Sequence, residues 1–303
     1  MGTRGDGDLL GSCHEVRRLE LPLTPEEPVF AYEASRPADP APRYDVHSAC
    51  EVGLVLEGEY LRIYEGLERR VPAGQLWLCG VWEPHGSRTL ESPTRALIIT
   101  FLLDFLLDES PSAPPWGRLF LSHSSANRSI DLSDAESRHV SSCAREVLAE
   151  CAAERPYRDE AARLALRQLL LPILRRSDAE APLDRSAANF ARVEQVIRMV
   201  GERMPAAFTV ADAARAAKLS RSRFCDVFRR ATGVSFGEFV QRARIARAAQ
   251  ELASTDLKIA AVARRWGYFD QSHMHRAFRR FFRCTPAEYR AQGAPGPVSL
   301  DRN

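Results

Sequence analysis

Residues 209–230 read TVADAARAAKLSRSRFCDVFRR, and residues 257–280 read LKIAAVARRWGYFDQSHMHRAFRR. Laid over one another, Val210, Ala213 and Ala214 fall on Ile259, Val262 and Ala263, an offset of 49. Beyond the turns, Ser220, Phe224, Phe228 and Arg229 fall on Asp270, Met274, Phe278 and Arg279, an offset of 50. The stretch is therefore one motif written twice, with one extra residue in the second turn. An internal repeat of this size sets the architecture before any single residue is weighed.

Each copy has the pattern of two helices around a tight turn. Thr209 is placed to cap a short helix whose apolar face is Val210, Ala213, Ala214 and Ala217. Ser220 caps the next helix, which buries Phe224, Val227 and Phe228 and leaves Arg221, Ser222, Arg223 and Asp226 outside. In the second copy Asp270 is the cap, and Met274, Phe278 and Phe281 point inward. Gln271, Ser272, His273 and Arg276 remain outside. These eight polar residues have the chemistry that reads base edges: Arg to guanine, Gln to adenine, Ser or His to either edge. In a helix-turn-helix unit the N-terminal part of the second helix enters the major groove. Two units on a stiff spacer suit double-stranded DNA, with grooves about one turn, roughly 34 Å, apart.

The spacer is a central helix expected from Phe236 to Ala253, capped by Ser235 after Gly233 ends its predecessor. Arg242 and Arg247 on it are assigned to DNA phosphates, and Arg244 to a structural role. Thr285-Pro286-Ala287-Glu288 is a capping box with Pro at the first helical position, opening a last short helix anchored by Tyr289. An amphipathic helix expected over Phe190–Met204 precedes the repeat.

With these pieces in place, residues 209–290 resemble the DNA-binding domain of the AraC/XylS family of transcription regulators. The matching segments are FRRATGVSF (228–236), RIARAAQEL (244–252), IAAVARRWGY (259–268), DQSH (270–273) and FRRFFRCTPAEYR (278–290). With its leading helix the resemblance covers about a third of the chain. It departs from the family at Trp266, where a small aliphatic is usual, at Met274 in place of Phe, and at Cys284 in place of Gly. A cysteine in a left-handed turn would carry a conformational cost. The resemblance implies a bacterial, cytoplasmic regulator, an activator that contacts RNA polymerase and responds to a small-molecule effector.

Charge supports the assignment. Residues 191–290 hold 20 Lys+Arg against 9 Asp+Glu, while the rest of the chain holds 22 against 31. A basic third joined to an acidic remainder is the footprint of a nucleic-acid-binding domain carried by another domain. At 303 residues about two domains are expected. The expected division is an arm over 1–43, partly disordered; a sensor barrel with dimerisation helices over 44–178; a linker over 179–189; the DNA-binding domain over 190–292; and a disordered tail over 293–303.

The fold class expected is α+β. Residues 44–103 carry short strands separated by Gly/Pro turns, which suggests a small antiparallel barrel. A helical pair follows: Val140, Cys143, Ala144, Val147, Leu148 and Cys151 share one face, and Leu164, Leu166, Leu169, Leu170 and Ile173 make the second helix apolar. This pair is read as ordinary packing on the barrel or as a homodimer seam. The all-α C-terminal domain of two helix-turn-helix units joined by a central helix completes the chain.

The spacing Asp45-x-His47-x₃-Glu51-x₆-Gly58 followed by Pro72-x-Gly74 resembles the two cupin motifs. With the later Pro84-His85, it also resembles the sensor barrel often found in front of AraC-type domains. An enzymatic cupin would offer His at 45 and 77, where this chain has Asp45 and Trp77. His47, Glu51 and His85 were thus three of the donors a metal would need, with two imidazoles missing, and no metal, cofactor or catalytic residue is expected. Effector contact is assigned to His47, Trp77, Trp82 and His85, a barrel of this size holding one small ligand. Each of these also has a plain reading, as a strand-end or core residue. The rival readings are a cupin-type metalloenzyme tethered to nucleic acid, and an effector-independent regulator whose barrel only dimerises.

The seven cysteines are scattered, with no C-x-x-C pair, which points to reduced thiols rather than a disulfide framework or zinc site. The opening MGTRGDGDLLGSCHEV has no apolar core of a signal peptide. LIITFLLDFLL (97–107) is too short to span a bilayer and contains Asp104, so no membrane partner is expected.

Overall fold

The computed structural model describes residues 23–64, 67–106, 114, 116–121, 129–180, 187–202, 208–282 and 284–291. The expected tail from 293, most of the expected linker and the first half of the expected arm lie outside the described residues. The rest of that arm stretch carries strand β1, Val29–Arg36, and strand β2, Asp39–Asp45. Seven further strands follow: β3 Cys50–Glu57, β4 Glu59–Tyr64, β5 Leu67–Pro72, β6 Leu76–Cys79, β7 His85–Thr89, β8 Thr94–Phe101 and β9 Ser129–Ile130. They build a mixed α and β fold, as expected. Among the described residues the strands form two antiparallel sheets rather than one closed ring, ordered β1-β8-β3-β6-β9 and β2-β7-β4-β5.

The five-stranded sheet is covered on both faces, and the alternation of its strands shows why. In β3, Cys50, Val52 and Leu54 share a core with the helices, while Val55 joins a second core with Tyr60, Tyr64 and Val71 of the other sheet. β6 divides the same way, Leu76 and Leu78 to the helical side, Trp77 and Cys79 to the sheet side. β8 sends Leu97, Ile99 and Phe101 one way and Ala96 and Ile98 the other. Strands buried on both sides carry apolar residues almost continuously, which is why β3 and β8 lack the polar alternation of a half-exposed strand.

The helical layer is α3, Asp134–Ala152, and α4, Arg158–Glu180, packed on one another, with α3 also against β1 and β8. Ser133 opens α3 through a reciprocal capping box with Glu136. Val140, Cys143, Ala144 and Val147 of α3 and Leu166, Leu169, Leu170 and Ile173 of α4 are consumed in this core, whereas Leu164 is 51% exposed. Two single-turn helices complete the layer, α1 at Leu103–Leu106 and α2 at Arg118–Leu121.

The C-terminal part is all helical: α5 Ala187–Glu202, α6 Val210–Ala216, α7 Arg221–Thr232, α8 Phe236–Ser254, α9 Ile259–Arg265, α10 Gln271–Phe282 and α11 Pro286–Ala291. Phe224, Phe228, Phe236 and Phe239 pack ring on ring where α7 meets α8. Phe278, Phe282 and Tyr289 do the same where α10 meets α11. The first bundle is continuous with the core of the sheets, because α2 packs on α7, and Arg198 of α5 pairs with Asp104 of α1 at 2.9 Å. The second bundle has its own core, to which Val46 from the β2–β3 connection is added.

Gly53 marks the closest approach inside the sheet layers. A Cβ there would lie 1.9 Å from Cζ2 of Trp77, a fully buried ring facing Gly53 across the β3–β6 pair. Gly53→Ala should therefore lower the unfolding free energy in urea by about 1–3 kcal/mol through overpacking. An unchanged midpoint would show that the indole has room the structure denies it.

Candidate nucleic-acid interface and sensor cluster

The two helix-turn-helix units are built by the same local devices. Thr209 caps α6 in a capping box with Asp212, Ser220 accepts from the Arg223 amide to start α7, and the Asp270 carboxylate accepts from the His273 amide at 2.6 Å to start α10. Each turn passes through one left-handed residue, Lys218 at φ 53° in the first unit and Gly267 at φ 75° in the second. The residue after it returns a hydrogen bond to the preceding helix: Leu219 to the Ala214 carbonyl, and Tyr268 to the Ala263 carbonyl, each at 2.9 Å. All these pairs keep the offset of 49, so the extra residue of the second turn is Phe269, which stands 91% exposed. Cys284 is buried in the core of the second bundle.

The cap-proximal residues are presented as expected. Arg221, Ser222, Arg223 and Asp226 are exposed on α7, while Phe224, Val227 and Phe228 are buried. On α10, Gln271, Ser272 and Arg276 are exposed and Met274, Phe278 and Phe281 are buried. His273 is half-buried, its ring edge-on to Tyr268 at 5.2 Å.

The central helix does not present its arginines as expected. Arg242 is 4% exposed and pairs with Glu238 one turn earlier at 2.9 Å. Glu238 also meets Arg280 of α10 at 3.8 Å, so Arg242 belongs to an internal brace between α8 and α10. Arg247 is half-buried, with its guanidinium carbon 5.6 Å from the Trp82 ring centroid, and burial lowers its pKa. The face of α8 read as solvent-facing is thus covered at Arg242 on the side of α10, and partly covered at Arg247 by the β6–β7 turn. Trp266, the large residue at a small position, donates its indole N–H to Glu251 of α8 at 2.8 Å.

Three of the four residues assigned to an effector, His47, Trp77 and His85, come together around Glu51. Its Oε1 accepts from Trp77 Nε1 at 2.7 Å and from Arg62 at 3.3 Å, with the Cys79 thiol at 3.7 Å. Its Oε2 lies 3.7 Å from Nε2 of His47. The rings of His47 and His85 stand edge to face at 4.9 Å. Burial opposes ionisation of Glu51, yet His47 beside its Oε2 and the charge of Arg62 hold it well below the usual carboxylate range. Burial, with the charges of His47 and Arg62, lowers the His85 pKa to about 3 despite the attraction of Glu51, so this ring is neutral. Trp77 is less a ligand wall than a strut: its ring fills the space over Gly53, and its N–H fixes the carboxylate. Trp82 has a left-handed backbone at φ 57°, donates its amide to the His47 carbonyl at 2.9 Å, and shows its ring to Arg247. Sequence reasoning missed Arg62 and Cys79 as partners of Glu51. The available signal was a lone arginine in the otherwise apolar run between Tyr60 and Tyr64.

Such a body defines a class: a two-sheet sandwich joined to two helix-turn-helix units that share one central helix. The helix-turn-helix domain family matches residues 213–292. Among curated relatives, the HTH-type transcriptional activator RhaR of Mannheimia succiniciproducens is 28% identical over 125 residues, 41% of this chain and 44% of that protein. The RCS-specific HTH-type transcriptional activator RclR of Escherichia coli is 35% identical over 98 residues, 32% of this chain and 33% of that protein. The arabinose operon regulatory protein of Escherichia coli is 30% identical over 134 residues, 42% of this chain and 44% of that protein. The chain thus spans less than half the length of these relatives. Residues 213–292 thus form a helix-turn-helix domain similar to that part of these regulators. The structure of ToxT from Vibrio cholerae superposes with a TM-score of 0.54 at 14% identity, covering 89% of this chain and all of that one, a likeness of fold. Another ToxT structure, described as bound to an unsaturated fatty acid, gives 0.53 at 10% identity over 90% of this chain and 98% of that one.

Two substitutions separate the roles of the arginines. Arg276→Ala should weaken binding to the preferred duplex by about 1–3 kcal/mol and relax preference at one base pair; equal loss on every duplex would remove its base-reading role. Arg242→Ala should instead lower stability by about 1–3 kcal/mol, as loss of a charged hydrogen bond does, and leave the salt slope of DNA binding unchanged. A slope reduced by about one would return Arg242 to the phosphates.

Proposed function

We propose that the chain is a sequence-specific DNA-binding transcription regulator, an effector-responsive activator in which α7 and α10 enter adjacent major grooves. The observation that carries this is the repeated presentation of polar residues. In both units the residues just after the helix cap are exposed, and the apolar ones behind them are locked in the core. Base readout belongs to Arg221, Ser222, Arg223, Asp226, Gln271, Ser272, His273 and Arg276. The names of the relatives, transcriptional activators and operon regulators, support the same reading. A small-molecule effector is supported by the sandwich and by the fatty acid bound to a ToxT of like fold. The route from effector to DNA runs through the Trp82 turn, which carries His85 at one end and touches Arg247 of α8 at the other. Dimerisation through the α3–α4 pair, contact with RNA polymerase and a cytoplasmic location complete the proposal. Among the described residues no helix is long and apolar enough to cross a membrane. The metalloenzyme reading is not favoured: a buried Trp77 holds the position where a catalytic cupin has histidine.

Selection of random duplexes by the full chain, repeated across salt concentrations, tests this. Two enriched half-motifs about one helical turn apart are expected. One half-motif would reduce α7 to a phosphate grip, and no enrichment with steep salt dependence would leave only non-specific binding.

A further inference from the structure

We propose that His47, Glu51 and His85 form a binding site for one divalent transition-metal ion. Three features of the geometry carry it. First, the ligand atoms of the three residues lie within 4.8 Å of one another. Ligands at about 2.0–2.2 Å from a common ion stand roughly 3–4 Å apart, so a small contraction closes the site.

Second, both imidazoles are oriented by their backs. His47 Nδ1 lies 3.0 Å from the Ala49 carbonyl oxygen, and His85 Nδ1 lies 2.8 Å from that of Glu83. A carbonyl only accepts, so each Nδ1 donates, and in the neutral ring the lone pair sits on Nε2. A histidine whose far nitrogen is tied to a backbone carbonyl has its tautomer and ring plane set for metal ligation. Third, Glu51 is divided in the same way. Trp77 and Arg62 occupy Oε1, and Oε2 is the oxygen turned to His47.

The donor set decides the class of ion. Two imidazoles and one carboxylate suit zinc, iron, cobalt, nickel or copper over magnesium or calcium. It is also not the set of an enzymatic cupin, because Asp45 and Trp77 stand where two imidazoles would be and His85, from the strand after Trp77, is recruited instead. Arg62 offsets the charge of Glu51, so a bound dication brings net positive charge and its remaining position suits an anion, hydroxide or a carboxylate. An ion here would tie the Val46–Ala49 connection to the head of β7. Val46 packs on the second helix-turn-helix core, and the turn before β7 carries Trp82, so both joined segments touch the DNA-binding helices. The site itself does not depend on the regulatory reading; a chain that reads no DNA could still hold the ion.

The test is titration of the chelator-stripped full chain with cobalt(II), followed in the visible spectrum, then displacement by zinc. The d–d absorption is expected to saturate at one equivalent without a sulfur-to-cobalt charge-transfer band. His47→Gln and His85→Gln should each weaken binding at least about tenfold, while Cys225→Ser, which alters an exposed thiol, should not. Thermal melts establish that the variants fold. If they do not, X-ray absorption of the zinc-loaded wild-type chain decides, with two imidazoles and oxygen expected. No saturable absorption, thiolate ligation, or binding unaltered in both folded histidine variants would overturn the site and leave His47 and Glu51 as a proton-held pair.

Discussion

A carboxylate buried between two sheets must collect partners or lose its charge, and Glu51 has collected them from three other strands and a connection. It sits on β3, receives Arg62 from β4 and Trp77 from β6, and faces His85 at the head of β7 and His47 just before β3. Removing a charged group from water costs several kcal/mol even after relaxation, and only specific hydrogen bonds and opposite charge offset it. Each partner is therefore held at one register of its strand. The pairing Glu51↔Cys79 and Gly53↔Trp77 puts the indole over a glycine and its N–H on the carboxylate at once. A slip of one residue would turn Trp77 to the helical side and take its N–H from Glu51. One ionised group thus fixes the relation of both sheets and of the two connections at their edge.

Those connections are also where the sheets meet the DNA-binding helices. Val46 reaches the second bundle and Trp82 reaches Arg247 on α8, while α2 seats against α7. The contacts fall on all three elements that set the spacing of α7 and α10. The brace Arg242–Glu238–Arg280 runs through the same helix from the opposite side. A change at the Glu51 cluster has a short physical path to α8: through the Trp82 amide on the His47 carbonyl, then through the indole on Arg247. Trp82 holds a left-handed backbone that a non-glycine adopts at some cost, which is consistent with a turn whose shape is imposed from both ends.

Much of this was legible in the sequence where the signal is local. The repeat, the caps at Thr209, Ser220, Ser235 and Asp270, the box at Thr285–Glu288 and the buried faces of α7 and α10 follow from spacing and hydrogen-bonding residue type alone. The short strands were legible too, but their arrangement as two facing sheets was not, since the alternation of β3, β6 and β8 is erased by burial on both faces. Arg242 and Arg247 were misread for a related reason. An arginine on a helix is expected in water unless something covers it, and what covers these two, α10 and the β6–β7 turn, is remote in sequence. Trp77, unlike Trp82, lies in one cluster with His47 and His85, and the places of both rings depend on Glu51 and Arg247, partners that no motif spacing names.

The two recognition units are alike in backbone and unlike in function, and the asymmetry has a structural origin. Lys218 and Gly267 occupy the same left-handed step, so the turns coincide until Phe269 is added between that step and the cap. One inserted residue sets the start of α10 later relative to its bundle than α7 is to its own. Phe269 is left in solvent beside the cap because the core position of the turn is already filled by Tyr268, the counterpart of Leu219. The ring of Tyr268 in turn backs His273, which leaves that histidine half-buried where its counterpart Arg223 is exposed. The second unit therefore offers a less charged surface of Gln271, Ser272 and Arg276 around a backed His273, and the first offers the exposed Arg221 and Arg223 beside the exposed Asp226. Rigid donors discriminate among bases better than mobile cations do, because less side-chain freedom is lost when each contact forms. Under the proposed function, the sharper sequence preference would fall to α10 and the larger share of salt-dependent affinity to α7.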